Sequence, residues 1–345
     1  MPAHARLAIS LLFSLSAAVT FAQQDAAPSQ LDDGQIHLDV VVTPKSGPPV
    51  AGLQEQDFTV LDNKVPQTIT SFQAVSGAQV PAEAILLIDA VNTSYQNIAY
   101  ERNQIDAFLR ANGGKLAHPV KLAIFGDTGV QVQASFSTDG NAIADSLDKQ
   151  TIALRDIRRS AGFYGAEDRL DLSLKALAQL ASVEATHPGR KFVLWVSPGW
   201  PFLSGPSVQL DGKQEQRLFG TIVEASTELR QARITLYNIN PLGAAENTLN
   251  IFYYEEFLKG VSKPSQVSVG NLALQVLAAQ SGGLVLNSSN DVTALLRQSF
   301  ADADAWYELS FKPPRSEPNQ YHHLEIRLAK PGLTARTRQG YYGQP

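Results

Sequence analysis

The chain reads as a doubly wound α/β protein with a mostly parallel sheet, joined to a small all-β module formed by its N- and C-terminal segments. Three observations predict this. Apolar strands alternate with helical periodicities from about residue 81 to residue 304. Strands of two-residue period lie before and after that region. One apolar strand, Ala84-Ile85-Leu86-Leu87-Ile88, runs into Asp89 and then into the small and polar residues Ala90-Val91-Asn92-Thr93-Ser94. A strand apolar on both faces belongs inside a parallel sheet, with helices covering both sides through right-handed crossovers.

In open α/β sheets, ligands sit in the crevice beyond the carboxyl ends of the strands, so Asp89, Asn92, Thr93 and Ser94 stand where a site belongs. The alternative is that Asp89 only terminates its strand and caps the helix that follows, because a fold does not imply a function.

Composition narrows the class. The chain has 345 residues, 44% hydrophobic and 18% charged, with a formal charge of −5. That is the make-up of a globular protein with a sizeable core. No Lys/Arg run is present to neutralise phosphates, which argues against a nucleic-acid partner. His4 and Arg6 precede the apolar run 7–21, followed by Ala22 and the polar Gln23-Gln24-Asp25. This is the pattern of a secretory signal peptide at residues 1–22, too short for a membrane span, so a periplasmic or extracellular protein is expected. The chain contains no cysteine, so the fold is held by its core without disulfides, and thiolate chemistry is excluded. The histidines show no zinc-binding spacing, and the adjacent His322 and His323 read as solvated strand residues on opposite faces.

The elements follow in order. Ile36, Leu38, Val40 and Val42 alternate with polar neighbours, and strands at 58–61 and 67–72 flank the turn Asp62-Asn63-Lys64. So little strand needs a partner sheet. One is offered at the far end, where Tyr307, Leu309 and Phe311, then Leu324, Ile326 and Leu328, alternate in the same way. The domains are therefore drawn as 23–80, an N-terminal β segment; 81–304, the α/β domain; and 305–345, a C-terminal β segment packed with the first. Inside the middle region a helix is expected at 97–111, closed by Gly113-Gly114. Strands follow at 120–125 and 130–135, the second an antiparallel edge. Leu170, Leu174, Leu177 and Ala181 recur at helical spacing before buried strands at 191–196 and 234–239. A short strand at 284–286 and an amphipathic helix through Val292, Leu295, Leu296 and Phe300 complete the domain. Two long insertions, 199–214 and 240–270, read as binding loops or disordered tips.

The order of elements and the residues themselves resemble a von Willebrand factor A-type domain, and more closely the divergent A-related family abundant in Acidobacteria. The resemblance rests on Asp89-Ala90-Val91-Asn92-Thr93, Phe136-Ser137-Thr138-Asp139, Ser281-Gly282-Gly283 and the closing Arg338-Gln339-Gly340-Tyr341-Tyr342. Upstream it takes in Gly52-Leu53 and Asp57-Phe58-Thr59-Val60. It implies a divalent cation, usually magnesium, bound by an Asp-x-Ser-x-Ser turn, a separate Thr and an Asp after the fourth strand. Such oxygen ligands suit a hard octahedral cation. Here Asp89 and Thr93 match, but Val91 offers no ligand, Ser197-Pro198-Gly199 stands where Thr-Asp-Gly is expected, and residues 162–166 lack the Thr. The metal site therefore reads as degenerate. No cofactor is expected, magnesium entering only if Asp89 and Thr93 retain it. Otherwise Asp89 accepts hydrogen bonds from backbone amides of neighbouring loops.

Three functions fit this reading. In the first, a non-enzymatic binding protein uses the top face, through Asp89, Asn92, Thr93, Ser94, Tyr164, Ser197, Trp200, Phe202 and Asn240, to recognise a protein or cell-surface polymer. Trp200 and Phe202 alternatively fold inward as loop packing. In the second, the domain is a structural spacer of an envelope assembly. In the third, Trp195-Val196-Ser197-Pro198-Gly199 serves an exported serine hydrolase. That motif lacks the first glycine of a nucleophile elbow, and no histidine follows Ser197 before His322.

Overall fold

The structure is a computed structural model that describes residues 34–76, 82–149, 163–201, 210–243 and 253–344. The leader at 1–22 and Phe202 lie outside the described residues, as do parts of both long insertions. The strands are β1 (Ile36–Pro44), β2 (Phe58–Asp62), β3 (Val65–Gln67), β4 (Ile69–Ser76), β5 (Glu83–Asp89), β6 (Lys115–Gly126), β7 (Gly129–Val132), β8 (Ser137–Asp139), β9 (Lys191–Val196), β10 (Ile234–Ile239), β11 (Val285–Leu286), β12 (Ala305–Phe311), β13 (Tyr321–Leu328), β14 (Leu333–Arg336) and β15 (Gly340–Tyr342). The helices are α1 (Tyr95–Leu109), α2 (Gly140–Lys149), α3 (Phe163–Glu184), α4 (Gly212–Gln231), α5 (Leu274–Gln280) and α6 (Val292–Ala301).

The central sheet has the order β11-β10-β9-β5-β6-β7, with β8 also on β6. Pairing is parallel from β11 through to β6, and β7 and β8 add antiparallel edges. The fold is thus mixed α/β, with a mostly parallel central sheet and separate antiparallel sheets. β5 owes its central place to its apolar run. Ala84, Leu86 and Ile88 pack towards α1 and α6, while Ile85 and Leu87 pack towards α3, α4 and α5, all at 1% exposure or less. The chain leaves β5 to one side for β6 and returns on the other side as β9, so the crevice between β5 and β9 is the topological switch point of the sheet.

The remaining strands form two four-stranded antiparallel sheets, β14-β1-β12-β4 and β15-β13-β2-β3. They face each other across one core in which Leu38, Val40, Val60, Tyr307, Leu309 and Phe311 are buried. β1 lies directly against β12, with Leu38 opposite Leu309 and Asp39 opposite Glu308. Facing carboxylates on neighbouring strands repel. Arg233, in the α4–β10 turn of the α/β domain, resolves this by pairing with Asp39 at 2.5 Å and Glu308 at 3.1 Å. Burial pulls the Arg233 pKa down, but the two carboxylates outweigh it and the net shift is upward.

Two expectations need correction. The insertion drawn at 199–214 already contains the start of α4. Asp211 caps that helix by accepting from the amides of Lys213 and Gln214, and the Gln214 side chain returns the bond. The Asp-x-x-Gln signature of a capping box was present in the sequence. Nor is His322 solvated. It does point away from the exposed His323, but it lies at 3% exposure, with Nδ1 2.8 Å from Asp62 and its ring stacked on Tyr341. The second sheet gives that position a polar partner inside the sandwich, which strand alternation alone does not reveal.

Arg233→Met is expected to leave Asp39 and Glu308 facing each other without their cation. Breaking such a buried pair costs about 3 kcal/mol. Urea unfolding at neutral pH should show the loss, and adding Glu308→Gln should recover part of it. A single variant as stable as the parent would remove Arg233 from its role between the two modules.

Candidate functional site

The end of β5 is organised by one carboxylate. Asp89 is fully buried. Its Oδ1 accepts the backbone amides of Val91 (3.0 Å) and Asn92 (2.9 Å). Its Oδ2 accepts the Asn92 side-chain amide (2.9 Å), the Trp195 indole N–H (3.0 Å) and the Ser197 hydroxyl (2.9 Å). A carboxylate offers about four lone-pair positions, so these donors saturate it. Each comes from an element the sequence places there. The residues after β5 turn back on Asp89, and Trp195 and Ser197 stand at the carboxyl end of the adjacent parallel strand β9.

The web extends outward from Asp89. Asn92 donates to Ser173 of α3 (3.0 Å), and Ser173 in turn donates to the Arg169 carbonyl. The Ser197 hydroxyl accepts the Gly199 amide (3.1 Å), and Asn238 of β10 donates to the Ser197 carbonyl (2.9 Å). Gly199 has φ +113°, a backbone conformation that favours glycine, and a Cβ there would displace the Gln275 side-chain amide of α5.

A second carboxyl group shares this end of the domain. Glu101 of α1 is fully buried, and neither of its oxygens has a hydrogen-bond partner among the described residues. Burial, reinforced by the Asp89 charge and opposed by the Thr93 hydroxyl, raises its pKa to about 9. Burial also raises the Asp89 pKa, against the pull of Asn92, Trp195 and Ser197. Asp89 holds five donors and Glu101 has only the nearby Thr93 hydroxyl, so Asp89 is the ionised member and Glu101 carries a proton at neutral pH.

Among the nominated residues, the structure brings Asp89, Asn92, Thr93 and Ser197 together at the switch point. Trp200 is not a surface anchor. It is 4% exposed, and its ring meets Trp195 edge-on with centroids 5.3 Å apart. Ser197 and Asn240 are likewise buried. Ser94 is exposed at the start of α1. Tyr164 is 76% exposed near the start of α3. Ser173 marks where α3 passes Asn92, and Tyr164 stands about 13 Å further out along the helix axis, at 1.5 Å per residue. Sequence reasoning missed Glu101, Trp195 and Ser173. For Glu101 the signal existed: Ile98, Ile105 and Phe108 form a helical stripe that runs through position 101. Trp195 carried a weaker one, since a buried indole N–H calls for an acceptor.

The residues at this end of the sheet do not fit the magnesium implied by the family resemblance. Both Asp89 oxygens are occupied by N–H and O–H donors, Val91 has no oxygen ligand, and Pro198 stands where the second carboxylate belongs. Among the described residues no group of three or more His, Cys, Asp or Glu is placed to hold a metal.

No family model matches the sequence, and comparison with curated proteins finds no match. Solved structures share parts of the fold at low similarity. Human COPII-coat protein Sec24c is 11% identical over 78% of this chain and 44% of its own, with a TM-score of 0.37. The SpRpn10 VWA domain is 12% identical over 69% of this chain and 100% of its own, with a TM-score of 0.32. The pilus adhesin SpaC from Lactobacillus rhamnosus GG, in its open conformation, is 9% identical over 84% of this chain and 48% of its own, with a TM-score of 0.37. This chain thus spans about half the length of Sec24c and SpaC or less.

Two outcomes are expected. A raised carboxyl pKa gives stability that is complete below the unfolded value near 4.5 and is lost as pH climbs towards about 9. Glu101→Gln cannot lose a proton, so its stability should gain on the parent across that window, by up to about 1.4 kcal/mol per pH unit. Parallel urea-unfolding profiles at pH 5, 7 and 8.5 would contradict the assignment of the proton. Trp195→Phe keeps a ring but removes one Asp89 donor, and should cost about 1–3 kcal/mol in the same assay. An unchanged midpoint would show that the indole bond is not part of the lock.

Proposed function

We propose that this protein is an exported, non-enzymatic binding module. In this reading a von Willebrand factor A-like domain presents its top face to a protein or cell-surface polymer without a bound metal. The observation that carries it is the saturation of Asp89: the position where the resemblance expects a cation is closed by five internal hydrogen bonds. The turn after β5 is thereby held as a fixed platform, and the contact groups at the surface are Ser94 and the outlying Tyr164, the Asn92 amide being committed to Asp89 and Ser173. An aromatic ring carried on a helix suits an interface anchor, because a tyrosine has only two side-chain torsions to fix on binding.

The strand order supports the A-like reading, since the first strand of the domain is central and the site falls at the switch point. The placement of Ser197 supports the absence of hydrolase chemistry. Its hydroxyl is fully buried and donates to Asp89, whereas a nucleophile needs an exposed oxygen beside a base. No helix among the described residues is long and apolar enough to cross a membrane.

The test is saturable binding of the purified protein to immobilised envelope polymers and to intact cells, with and without EDTA. Binding should be indifferent to EDTA and weaken at least tenfold in Tyr164→Ser. Thermal unfolding in millimolar Mg²⁺, Mn²⁺ or EDTA should give superimposable curves, since a site bound at a hundredfold excess over Kd would add about 2.7 kcal/mol. A metal-dependent rise in Tm that vanishes in Asp89→Ala would restore a metal-dependent site. No saturable binding to any surface would favour the spacer role.

A further inference from the structure

At the end of the parallel sheet opposite Asp89, a cavity of about 270 Å³ opens to solvent. It lies between the carboxyl ends of α1 and α6 and the start of β6. Local sequence makes this space. After α1, Asn112, Gly113 and Gly114 all take positive φ, at +53°, +70° and +84°, and turn the backbone directly into β6. Ala111, Ala117 and Ala301 line the cavity with methyl groups only, so no side chain from those positions fills it.

One wall is aromatic. The rings of Phe108 and Phe300 stack with centroids 5.4 Å apart and planes 16° apart, and the His118 imidazole stacks on Phe300 at 6.2 Å and 6°. Leu116 and Val120 extend that wall. An apolar wall with a few polar groups at its edge is the make-up of a small-molecule pocket.

The charged groups decide which molecule suits it. Lys115 and Arg297 line the cavity and are exposed, and among the described residues neither side chain makes a hydrogen bond or ion pair. Asp139, opposite Lys115 in the strand ladder, turns its carboxylate to the Ala142 amide. Asp304 is the one acid lining the cavity among the described residues, and it meets His118 Nε2 at 3.2 Å. Two cations without partners and one carboxylate that has one leave the mouth net positive, in a chain whose formal charge is −5. At about 30 Å³ per non-hydrogen atom, the share of a water molecule in the liquid, the cavity admits a molecule of about nine such atoms.

We infer that this cavity binds a small aromatic carboxylate, its ring on the Phe300 and His118 wall and its carboxylate towards Lys115 and Arg297. A simple inorganic anion would leave the apolar wall bare, and a neutral arene would leave both cations unused. Flat rings that already stack on one another favour a further flat ring. The site is independent of the Asp89 crevice and of the function proposed for it, and Tyr164-dependent surface binding stands or falls without it.

The experiment titrates the full chain, labelled with ¹⁵N, with sodium benzoate at constant ionic strength, alongside acetate, benzamide and benzylamine. Benzoate should shift the amide signals of Leu116, His118 and Ala301 saturably, with half-saturation below about 1 mM, within reach of a ligand of this size. Acetate lacks the ring, benzamide the charge, and benzylamine carries the opposite charge; each should bind at least tenfold more weakly. Lys115→Gln combined with Arg297→Gln alters two exposed side chains, leaves the fold intact, and should weaken benzoate roughly tenfold or more, as loss of hydrogen bonds to a charged group does. Shifts that stay linear beyond that concentration, benzamide or benzylamine binding as tightly as benzoate, or an unchanged affinity in the double variant would each overturn the proposal.

Discussion

The pairing of β1 with β12 is the constraint on which the rest of this molecule depends. Leu38 lies opposite Leu309 and Val40 opposite Tyr307, so the whole α/β domain is an excursion between two neighbouring strands. Closing so long a loop costs only slightly more entropy than closing a short one. It does make the sandwich a product of non-local contacts, which form late. The register also sets Asp39 against Glu308, and that conflict is relieved only when Arg233 of the α/β domain is in place. The two modules are thereby coupled: the sandwich meets its counter-charge only on the finished domain. Arg336 repeats the device with Asp302, whose carboxylate also accepts the Tyr237 hydroxyl.

At the other end of the sheet, polar groups are arranged with the same economy of donors. Trp195, Ser197, Asn92 and two loop amides converge on Asp89, and their effect is to make a fully buried carboxylate tolerable. In a low-dielectric interior an unpaired charge is costly, and hydrogen bonds there are correspondingly strong. Glu101 shows the other solution to the same problem. With only the Thr93 hydroxyl beside it, it keeps a proton, and the neighbouring negative charge on Asp89 reinforces that choice. The crevice therefore holds two carboxyl groups with opposite protonation states, set by which one the loops reach.

Much of the architecture was legible because hydrophobic period and burial are tied locally. The run from Ala84 to Ile88, the stripe through Leu170 and Leu177, and the alternation of Leu38 and Val40 all correspond to elements of the structure. Asp89 could be placed at the end of a central strand for the same reason. Less legible were residues whose roles depend on a distant partner. Trp200 lies in a loop of mixed composition, and only the position of the Trp195 ring shows that it packs inward. His322 and His323 are adjacent in sequence, yet one faces Asp62 and Tyr341 inside the sandwich while the other faces solvent.

By itself the sequence determined the mixed α/β class, the strand that occupies the centre of the sheet, the lack of disulfides and the loss of oxygen ligands at Val91 and Pro198, because each depends on residue type and short spacing. Tertiary structure alone decided which donors close on Asp89, that Glu101 is buried beside it and keeps a proton, and that Arg233 bridges two modules. Those outcomes depend on hydrogen bonds and charges between residues far apart in the chain. Their energies are set by distance and burial in the folded protein, and neither is encoded in local pattern.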